Sequence, residues 1–457
     1  MAKSDEQLMK PKRFRRGLDL GPGGPWAAAA IQDMPAPKRL YVPLRQHLGS
    51  DCTPKVSQGD HVLMGQLLGE SADPLSAPVH SPVSGEVTAV GTHVDPFGRM
   101  TPTVTIVNDG KDEWESHPES DPEFLKKKVS AMIRAVRVSG VVNPSTGRPV
   151  HSQLAPPERP KAYIFLVGIP VLKPVELLVV SALDSEPVIA GNRRLFLEKA
   201  ADVRDGIKLV KKIVGAKKAV LVVDDELAGR KDFDRRAAGE EAVLSIIENR
   251  YPVAREELLT TALTGRELPW PDGEPRDVEV LVLGVEVILG ILEAVRGGRP
   301  QIDRVVTVSG KNVFPQNIRA RIGTPLNDLL AFAGGSLEGA AKVVSGGMMS
   351  GYAQFSGTAP VTKQTTGFRL LADKDLVKFS EHLCIKCGRC VEVCPMRLLP
   401  NVITNFCEFG FFAEAEGAEL FKCIECGCCA YVCPAKRPLV HYVKHGKAEV
   451  TAKRTAR

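Results

Sequence analysis

Two short cysteine runs near the end of the chain have a spacing that can bind iron. Each run follows the pattern C-x2-C-x2-C-x3-C and is closed by a proline, and the eight cysteines are Cys384, Cys387, Cys390 and Cys394, then Cys423, Cys426, Cys429 and Cys433. This is the bacterial two-cluster [4Fe–4S] signature, in which the fourth cysteine of each run ligates the cluster of the other run. The pattern therefore predicts one cluster on the first three cysteines of the first run together with Cys433. It predicts a second cluster on the first three cysteines of the second run together with Cys394.

Other uses of these cysteines agree less well with the spacing. Structural zinc sites prefer paired C-x2-C knuckles with four ligands in all. Disulfides need an oxidising compartment, which we do not expect because the sequence shows no signal peptide. Three cysteines lie outside the pattern and are expected to be buried free thiols: Cys52, Cys407 and Cys428. Electron transfer through clusters needs no acid or base, so the sequence predicts no catalytic side chain.

The composition is that of a globular protein with several domains. The chain has 457 residues, of which 44% are hydrophobic, and its net charge is +6. No stretch reaches the roughly 18–20 apolar residues that span a bilayer. Basic residues concentrate in Lys10–Arg16 and Lys444–Arg457, where we expect solvated tails, although a modest basic excess also suits an acidic protein partner or a membrane surface. No nucleic-acid motif accompanies the charge, so we expect a cytoplasmic protein without a transmembrane segment or a nucleic-acid partner.

The first part of the chain predicts an arm followed by a small β domain. Residues 1–37 are rich in proline, glycine and basic residues and indicate an arm without its own core. Residues 38–121 alternate between short strands and glycine or proline turns. Within them, Gly59–Gln66 and Ser81–Val87 resemble the barrel-sandwich fold of biotinyl and lipoyl domains. Because the hairpin Ala77–Pro82 has no lysine to modify, we predict a structural role for this domain.

The middle of the chain, residues 122–300, alternates between strands and helices. Strands are predicted at Ala162–Val167, Val175–Val180, Ala219–Val223 and Val278–Leu283. Helices are predicted at Pro122–Val138, Arg194–Val214, Gly239–Asn249 and Val287–Arg296. This alternation indicates an α/β domain with a parallel or mixed sheet.

Two smaller units and a tail complete the predicted α+β multidomain fold. Residues 301–372 return to strands around a short helix and indicate a β-grasp unit. Residues 373–445 hold the cysteine runs, and the segments between the runs are long enough for helices, which favours an α-helical two-cluster ferredoxin. Residues 446–457 are predicted to be a basic tail.

With these pieces in order, the chain resembles the C subunit of Rnf complexes, the ion-translocating ferredoxin:NAD oxidoreductases. Besides the cysteine runs, the resemblance rests on short motifs spread over nearly the whole chain: Pro43–Gly49, Gly59–Gln66, Ala262–Glu267, Arg304–Gly310, Ile322–Pro325 and Gly346–Met349. It implies a barrel-sandwich hybrid domain, an α/β domain like the flavin subunit of respiratory complex I, a β-grasp unit and a two-cluster ferredoxin. It also implies that the α/β domain binds FMN and NADH.

The loop expected to hold the flavin departs from the family pattern. The family's glycine-rich loop corresponds to Val142–Leu154, in which Gly147 survives while three glycines have become Val142, Pro144 and Ser145. Those glycines let backbone N–H groups approach a phosphate or the flavin ring, whereas a valine side chain obstructs that approach and proline has no N–H.

The acidic loop of the same expected pocket departs as well. Where the family has GAECEP, this chain keeps Glu186 and has Asp184 as a shortened carboxylate, and the family's later asparagine corresponds to Gly284. The remaining candidates for FMN or NADH binding are thus Gly147, Asp184 and Glu186. We predict a weakened or absent FMN/NADH site, so that FMN and NAD(H) are doubtful ligands. The alternative is a different backbone path that still holds flavin.

Two functions are compatible with these features. In the first, the chain is an electron-transfer subunit of an Rnf-type complex on the inner face of the cell membrane. It relays electrons through two [4Fe–4S] clusters between NAD(H)-linked chemistry and ferredoxin, and its partners are a ferredoxin and the other subunits. In the second, it is a flavin-less iron–sulfur adaptor of another redox assembly, without a substrate site. Cobalamin reductases share the architecture but should keep the flavin loop, which argues against them.

Overall fold

The structure, a computed structural model, describes residues 14, 16–21, 24, 27, 29–117, 119–155, 174–231, 233–234, 238–269, 273–380 and 382–455. The predicted strand at Ala162–Val167 lies outside this part of the chain. The described strands form four sheets, and a helical domain follows them.

The barrel-sandwich unit is built from two antiparallel sheets. A short strand of the N-terminal arm, β1 (Ile31–Asp33), precedes it and pairs in parallel with a strand of a later sheet. The strands of the unit are β2 (Arg39–Pro43), β3 (Thr53–Pro54), β4 (His61–Val62), β5 (Leu67–Glu70), β6 (Val79–His80), β7 (Gly85–Val94) and β8 (Met100–Asn108). The strand order is β2-β8-β7-β4 in one sheet and β3-β5-β6 in the other. Alternate residues such as Leu40 and Val42 point inward and form a closed core.

The α/β unit has a four-stranded parallel sheet. Its elements in chain order are α1 (Val129–Val138), α2 (Val150–Leu154), β9 (Leu177–Ser181), α3 (Gly191–Glu198), α4 (Ala200–Val214), β10 (Lys218–Asp224), α5 (Asp225–Ala228), β11 (Val243–Ile247), α6 (Glu256–Thr264), β12 (Val280–Gly284) and α7 (Val285–Gly297), with 3₁₀ turns at Phe124–Lys126 and Pro275–Val278. The strand order is β11-β10-β9-β12. The strands are apolar over most of their length because both faces of the sheet are covered, by one core on each side.

Three of the helix predictions in this unit need correction. The helix predicted at Pro122–Val138 begins only at Val129, after a 3₁₀ turn at Phe124–Lys126. The predicted helix Gly239–Asn249 is wrong, since the segment contains the strand β11, which pairs in parallel with β10. Its run of valine, leucine and isoleucine suits a pleated surface better than a helix, and pairing with β10 decides between them. The predicted helix Arg194–Val214 is divided at Lys199 into α3 and α4.

The third unit is a six-stranded mixed sheet with one helix. Its elements are β13 (Asp303–Gly310), β14 (Gln316–Arg321), α8 (Leu326–Phe332), β15 (Lys342–Ser345), β16 (Tyr352–Gln354) and β17 (Gly367–Leu371), with a 3₁₀ turn at Asp373–Asp375. The strand order is β1-β14-β13-β17-β15-β16. The N-terminal arm therefore supplies an edge strand to a sheet that lies more than 250 residues further along the chain.

The last unit is helical. Its helices are α9 (Arg389–Val393), α10 (Pro400–Glu408), α11 (Phe412–Gly417), α12 (Cys428–Tyr431) and α13 (Leu439–Thr455), with a 3₁₀ turn at Leu420–Lys422. The predicted basic tail is helical as far as Thr455, because α13 continues through it, and residues 451–454 at its end are exposed. Val450 is buried in the core of the unit, and Lys453 and Arg454 lie over the rings of Phe412 and Phe421.

A buried lysine joins three of the units. The Lys363 ammonium donates to the carbonyl of Pro78 in the barrel sandwich and to that of Gly140 beside α1, both at 2.7 Å. Its backbone N–H donates to Gln46 Oε1 at 2.9 Å. Burial lowers the pKa of Lys363 from 10.5 to about 7, because a charged ammonium loses its hydration there.

We predict that this lysine makes stability depend on pH. The folded chain releases the proton near pH 7 and the unfolded chain near 10.5, so the unfolded state binds more protons in between. Stability should therefore rise with pH in this window and fall as the pH drops towards 7, by about 1.4 kcal/mol per pH unit. Lys363→Met should lose this slope. Denaturant unfolding of both proteins at several pH values under anaerobic conditions measures it, and parallel pH profiles would contradict the prediction.

Candidate metal centre and adjoining cleft

The structure sorts the eight pattern cysteines into two groups that surround separate cavities. Cys384, Cys387, Cys390 and Cys433 line one cavity, and we call them the outer group. Cys394, Cys423, Cys426 and Cys429 line the other, and we call them the inner group. Each group thus takes its fourth cysteine from the other run, which is the division expected from the spacing. Cys428 also lines the inner cavity and is buried, as are Cys52 and Cys407.

The two binding loops follow the same backbone path. Gly388 and Gly427 occupy matching positions with φ of 78° and 81°, and α9 and α12 begin directly after them. Lys386 and Glu425 also match, with φ of 56° and 54°. In this left-handed turn, the Lys386 N–H donates to the Cys384 sulfur and the Glu425 N–H donates to the Cys423 sulfur, each at 3.4 Å. Hydrogen bonds to cluster sulfurs are one of the means by which proteins set cluster potentials.

The donor set fits a cluster better than a single metal ion. Within the described residues, no three histidine, cysteine or carboxylate side chains are grouped closely enough to hold one ion. A cluster needs wider spacing because each thiolate binds a different iron. Burial raises the pKa of the Cys423 thiol to about 11 and also raises the pKa values of Cys394 and Cys429. Such buried thiolates require the positive charge of a metal to persist.

The inner group is covered by the rest of the chain. The Tyr251 hydroxyl donates to the carbonyl of Cys426 at 2.7 Å. The Met349 carbonyl lies so close to Gly427 that an added Cβ would be 2.7 Å from it. On another side, Arg16 of the N-terminal arm donates to the carbonyls of Val391 and Cys394. The outer group, by contrast, includes the exposed Cys387.

A small cleft adjoins the inner group at the carboxyl ends of β9, β10 and β11. Ligands bind at this edge of parallel α/β sheets. Its lining includes Asp184, Glu186, Arg193, Asp224 and Tyr251. Burial raises the pKa of Asp184 to about 7 and raises that of Glu186 as well. The cleft is therefore rich in carboxyl groups that have lost their hydration.

Glu186 connects the cleft to the cysteine loops. Its carboxylate accepts hydrogen bonds from the Tyr251 hydroxyl at 3.2 Å and from the backbone N–H groups of Met349 at 3.0 Å and Ser350 at 3.2 Å. Gly347 passes so close that an added Cβ would lie 2.4 Å from Glu186 Cγ. Sequence reasoning missed Tyr251, because the strand β11 that brings it to the same sheet edge as Asp184 and Asp224 was predicted to be a helix.

The sequence-predicted flavin residues do not all meet in this cleft. Asp184 and Glu186 line it, but Gly147 does not. Gly147 instead lies against the Gln364 side chain and accepts a hydrogen bond from the Leu48 N–H. Two arginines line the cleft. Arg193 is paired with Asp224 and Glu226, and Arg250 lies 3.4 Å from Glu248. Gly284 faces the side chain of Asn192, another cleft-side residue that sequence reasoning missed.

The four units and the two thiol groups define a class of protein: a multidomain iron–sulfur subunit of an oxidoreductase. Family models match in the same order, namely the RnfC barrel sandwich hybrid domain at 13–111, the Nuo51 FMN-binding domain at 133–293, the SLBB domain at 305–353 and the 4Fe-4S dicluster domain at 376–434. The chain belongs to the RnfC family of ion-translocating ferredoxin:NAD oxidoreductase complexes. The predicted family and fold class are thereby confirmed.

Three relatives, each the RnfC-type component of its complex, illustrate the match. The one from the proton-translocating ferredoxin:NAD(+) oxidoreductase complex of Clostridium ljungdahlii is 34% identical over 96% of this chain and 94% of its own. The one from the Na(+)-translocating complex of Acetobacterium woodii is 33% identical over 92% of both. The one from the ion-translocating oxidoreductase complex of Rhodobacter capsulatus is 33% identical over 93% of this chain and 80% of its own. An NAD+-reducing [NiFe]-hydrogenase crystal structure aligns with a TM-score of 0.45 at 16% identity, over 70% of this chain and 64% of that chain.

The length and hydrophobicity of the helices determine whether any of them could cross a membrane. Among those in the described part of the chain, none combines the length and the apolar character that crossing a bilayer requires.

We predict that Glu186 anchors the glycine loop 346–351 that covers the inner group. Glu186→Ala leaves the N–H groups of Met349 and Ser350 without their acceptor, which should speed their hydrogen exchange about tenfold. Exchange measured by mass spectrometry on peptides covering this loop checks it. Glu176→Ala is the matched control, since that carboxylate pairs with Arg266 in a half-exposed position. Unchanged exchange in Glu186→Ala would show that the loop is held by other contacts.

Proposed function

We propose that this chain relays single electrons through two [4Fe–4S] clusters as a peripheral subunit of an Rnf-type membrane complex. The outer group holds one cluster and the inner group the other. Electrons pass between NAD(H)-linked chemistry in the complex and a ferredoxin-like carrier. The observation that supports this most directly is the sorting of eight cysteines into two quartets, each completed by a cysteine from the other run.

The relay needs the two clusters to be neighbours, and the thiol positions support this. Burial raises the pKa of the Cys429 thiol, and charges on Cys394 of its own group and on Cys390 of the outer group raise this pKa further. When bound, the clusters supply the one-electron chemistry. The protein's part is to hold the thiolates, to donate backbone N–H groups to sulfur, and to exclude water around the inner group. None of these tasks requires a proton-transfer residue.

We also propose that the cleft does not hold FMN in the manner its family model describes. A flavin phosphate needs free N–H groups or a free cation. Here Arg193 is paired with two carboxylates, Arg250 lies 3.4 Å from Glu248, and Gly147 lies elsewhere. The Nε–H groups of Arg193 and Arg250 have no partner among the described residues, but the three carboxyl groups of Asp184, Glu186 and Asp224 in the lining oppose a phosphate. These contacts favour a second candidate function, a flavin-less iron–sulfur adaptor that exchanges electrons only with protein partners.

Double variants test the ligand assignment. Cys384→Ala with Cys433→Ala should remove one cluster, so that about four of about eight irons remain. Cys384→Ala with Cys394→Ala should remove both clusters. If each run instead holds its own cluster, the second pair would spare one cluster and the first would lose both. Iron analysis and electron paramagnetic resonance of anaerobic protein measure this. Cys407→Ala, which alters a buried thiol of neither group, should keep the full iron content.

Cofactor extraction tests the flavin proposal. Protein prepared anaerobically with its full iron content should release far less than one FMN per chain, and NADH should not bleach the cluster absorbance. Iron measured on the same sample controls for damage. Stoichiometric FMN with NADH-dependent bleaching would contradict the proposal and would favour a chain that oxidises NADH itself.

A further inference from the structure

The two cysteine loops form an internal repeat in which corresponding residues can be compared. The ligand and glycine positions are the same in both loops, and their left-handed residues have nearly equal φ angles. The non-ligand positions differ. Lys386 corresponds to Glu425, and Arg389 corresponds to Cys428.

The second loop is docked on this chain's own domains. Gly427 touches the backbone of Met349, and Cys428 is completely buried. The charge of this loop is neutralised as well, because Glu425 pairs with Lys447 at 2.8 Å. Docking of this loop on the α/β and six-stranded units thus uses a small residue and a buried thiol, while its glutamate is paired within the helical unit, with Lys447 of α13.

The first loop has the same shape and no cover among the described residues. The space above Gly388 is open, and Leu383 and Ile385 are 77% and 64% exposed. Cys387, a proposed cluster ligand, is exposed between them and the helix α9. Apolar side chains exposed at such levels beside a redox centre are features of an interaction surface.

The cations around this loop have no counterpart in the described structure. Lys386 and Arg389 are exposed and make no ion pair with any described carboxylate. Lys436 is a third exposed cation. Its backbone carbonyl accepts a hydrogen bond from the Ser380 N–H, so Lys436 lies beside the segment that leads into the first loop. Glu392 on α9 is an exposed acidic residue in the same part of the chain, and Glu381 stands two positions before Leu383 in the sequence. The balance is positive, so the surface is complementary to carboxylates.

We propose that the segment Leu383–Arg389 with Lys436, which we call the outer face, is the docking surface for an acidic electron-carrying protein. The inference rests on the proposed function, because the exposed ligand Cys387 belongs to the outer cluster. One electron leaves the reduced centre of the partner and enters the oxidised outer cluster, with no bond or proton transferred. An anionic membrane would match the charge, but it would not explain a cluster ligand at the centre of the face.

Charge reversal tests the proposal on the full, iron-loaded chain. The variant is Lys386→Glu with Arg389→Glu, and the matched control is Lys38→Glu with Arg39→Glu, which changes the net charge equally on two residues at the start of the barrel sandwich. The probe is a purified acidic two-cluster ferredoxin. Its Kd measured in the oxidised state at low ionic strength should rise about tenfold or more in the variant only, and the salt dependence of binding should weaken. Reduction of the outer cluster by the reduced probe should slow by a similar factor.

Several outcomes would overturn the outer face as a docking surface. One is that the unaltered chain does not bind the ferredoxin, and another is that variant and control bind the ferredoxin with equal affinity. A third is that the variant loses binding to phosphatidylglycerol vesicles but still binds the ferredoxin. Leu383→Ser with Ile385→Ser, which leaves the charge unchanged, should also weaken binding of the probe. Reduction of the clusters by methyl viologen tests the proposed function separately from the docking surface. If the chain lacks two reducible clusters, the proposed function fails, whereas intact clusters with unaltered ferredoxin binding contradict only the docking surface.

Discussion

The convergence of four thiolates from two chain segments is the constraint on which the cysteine-rich domain depends. Three cysteines of a C-x2-C-x2-C loop reach one side of a cluster, and the fourth must come from outside the loop. Cys394 of the first run lines the cavity of the second run's cysteines, and Cys433 of the second run lines the cavity of the first run's cysteines. The helices α10 and α11 must therefore return the chain so that the second loop lies beside the first. The left-handed residues of both loops serve the same requirement, since they direct backbone N–H groups towards sulfur.

The same constraint determines how the domain meets the rest of the chain. Because the inner loop needs its backbone groups satisfied, the Tyr251 hydroxyl bonds the Cys426 carbonyl and also the Glu186 carboxylate. Glu186 then accepts from Met349 and Ser350, which hold the glycine loop over Gly427. A carboxylate that the family resemblance assigns to cofactor binding is thus engaged in joining three units here. This structural role is a physical reason why the cleft can keep Glu186 while its glycine-rich loop has diverged.

Local patterns predicted much of this architecture, and the failures came where distant partners decide. The cysteine spacing, the apolar strands and the barrel-sandwich turns are local signals, and the fold class derived from them is confirmed. The segment around Val243 was misjudged because its strand depends on pairing with β10. The helix α13 in the predicted tail was missed because it is held by contacts with residues far earlier in the chain, such as Lys453 with Phe412 and Arg454 with Phe421. No local pattern indicated that Tyr251 would reach Cys426, which is 175 residues away.

The internal repeat gives one kind of long-range information that a single sequence can supply. Both loops need the same backbone, so their cysteines and glycines are fixed by chemistry. The other positions are free to differ and therefore respond to what each loop faces. Where the loop faces this chain's own domains, the positions hold a paired glutamate and a buried cysteine. Where it faces away from them, the same positions hold a lysine and an arginine beside exposed apolar side chains. Comparing the halves of such a repeat thus separates residues that bind the cluster from residues whose type depends on what each loop contacts.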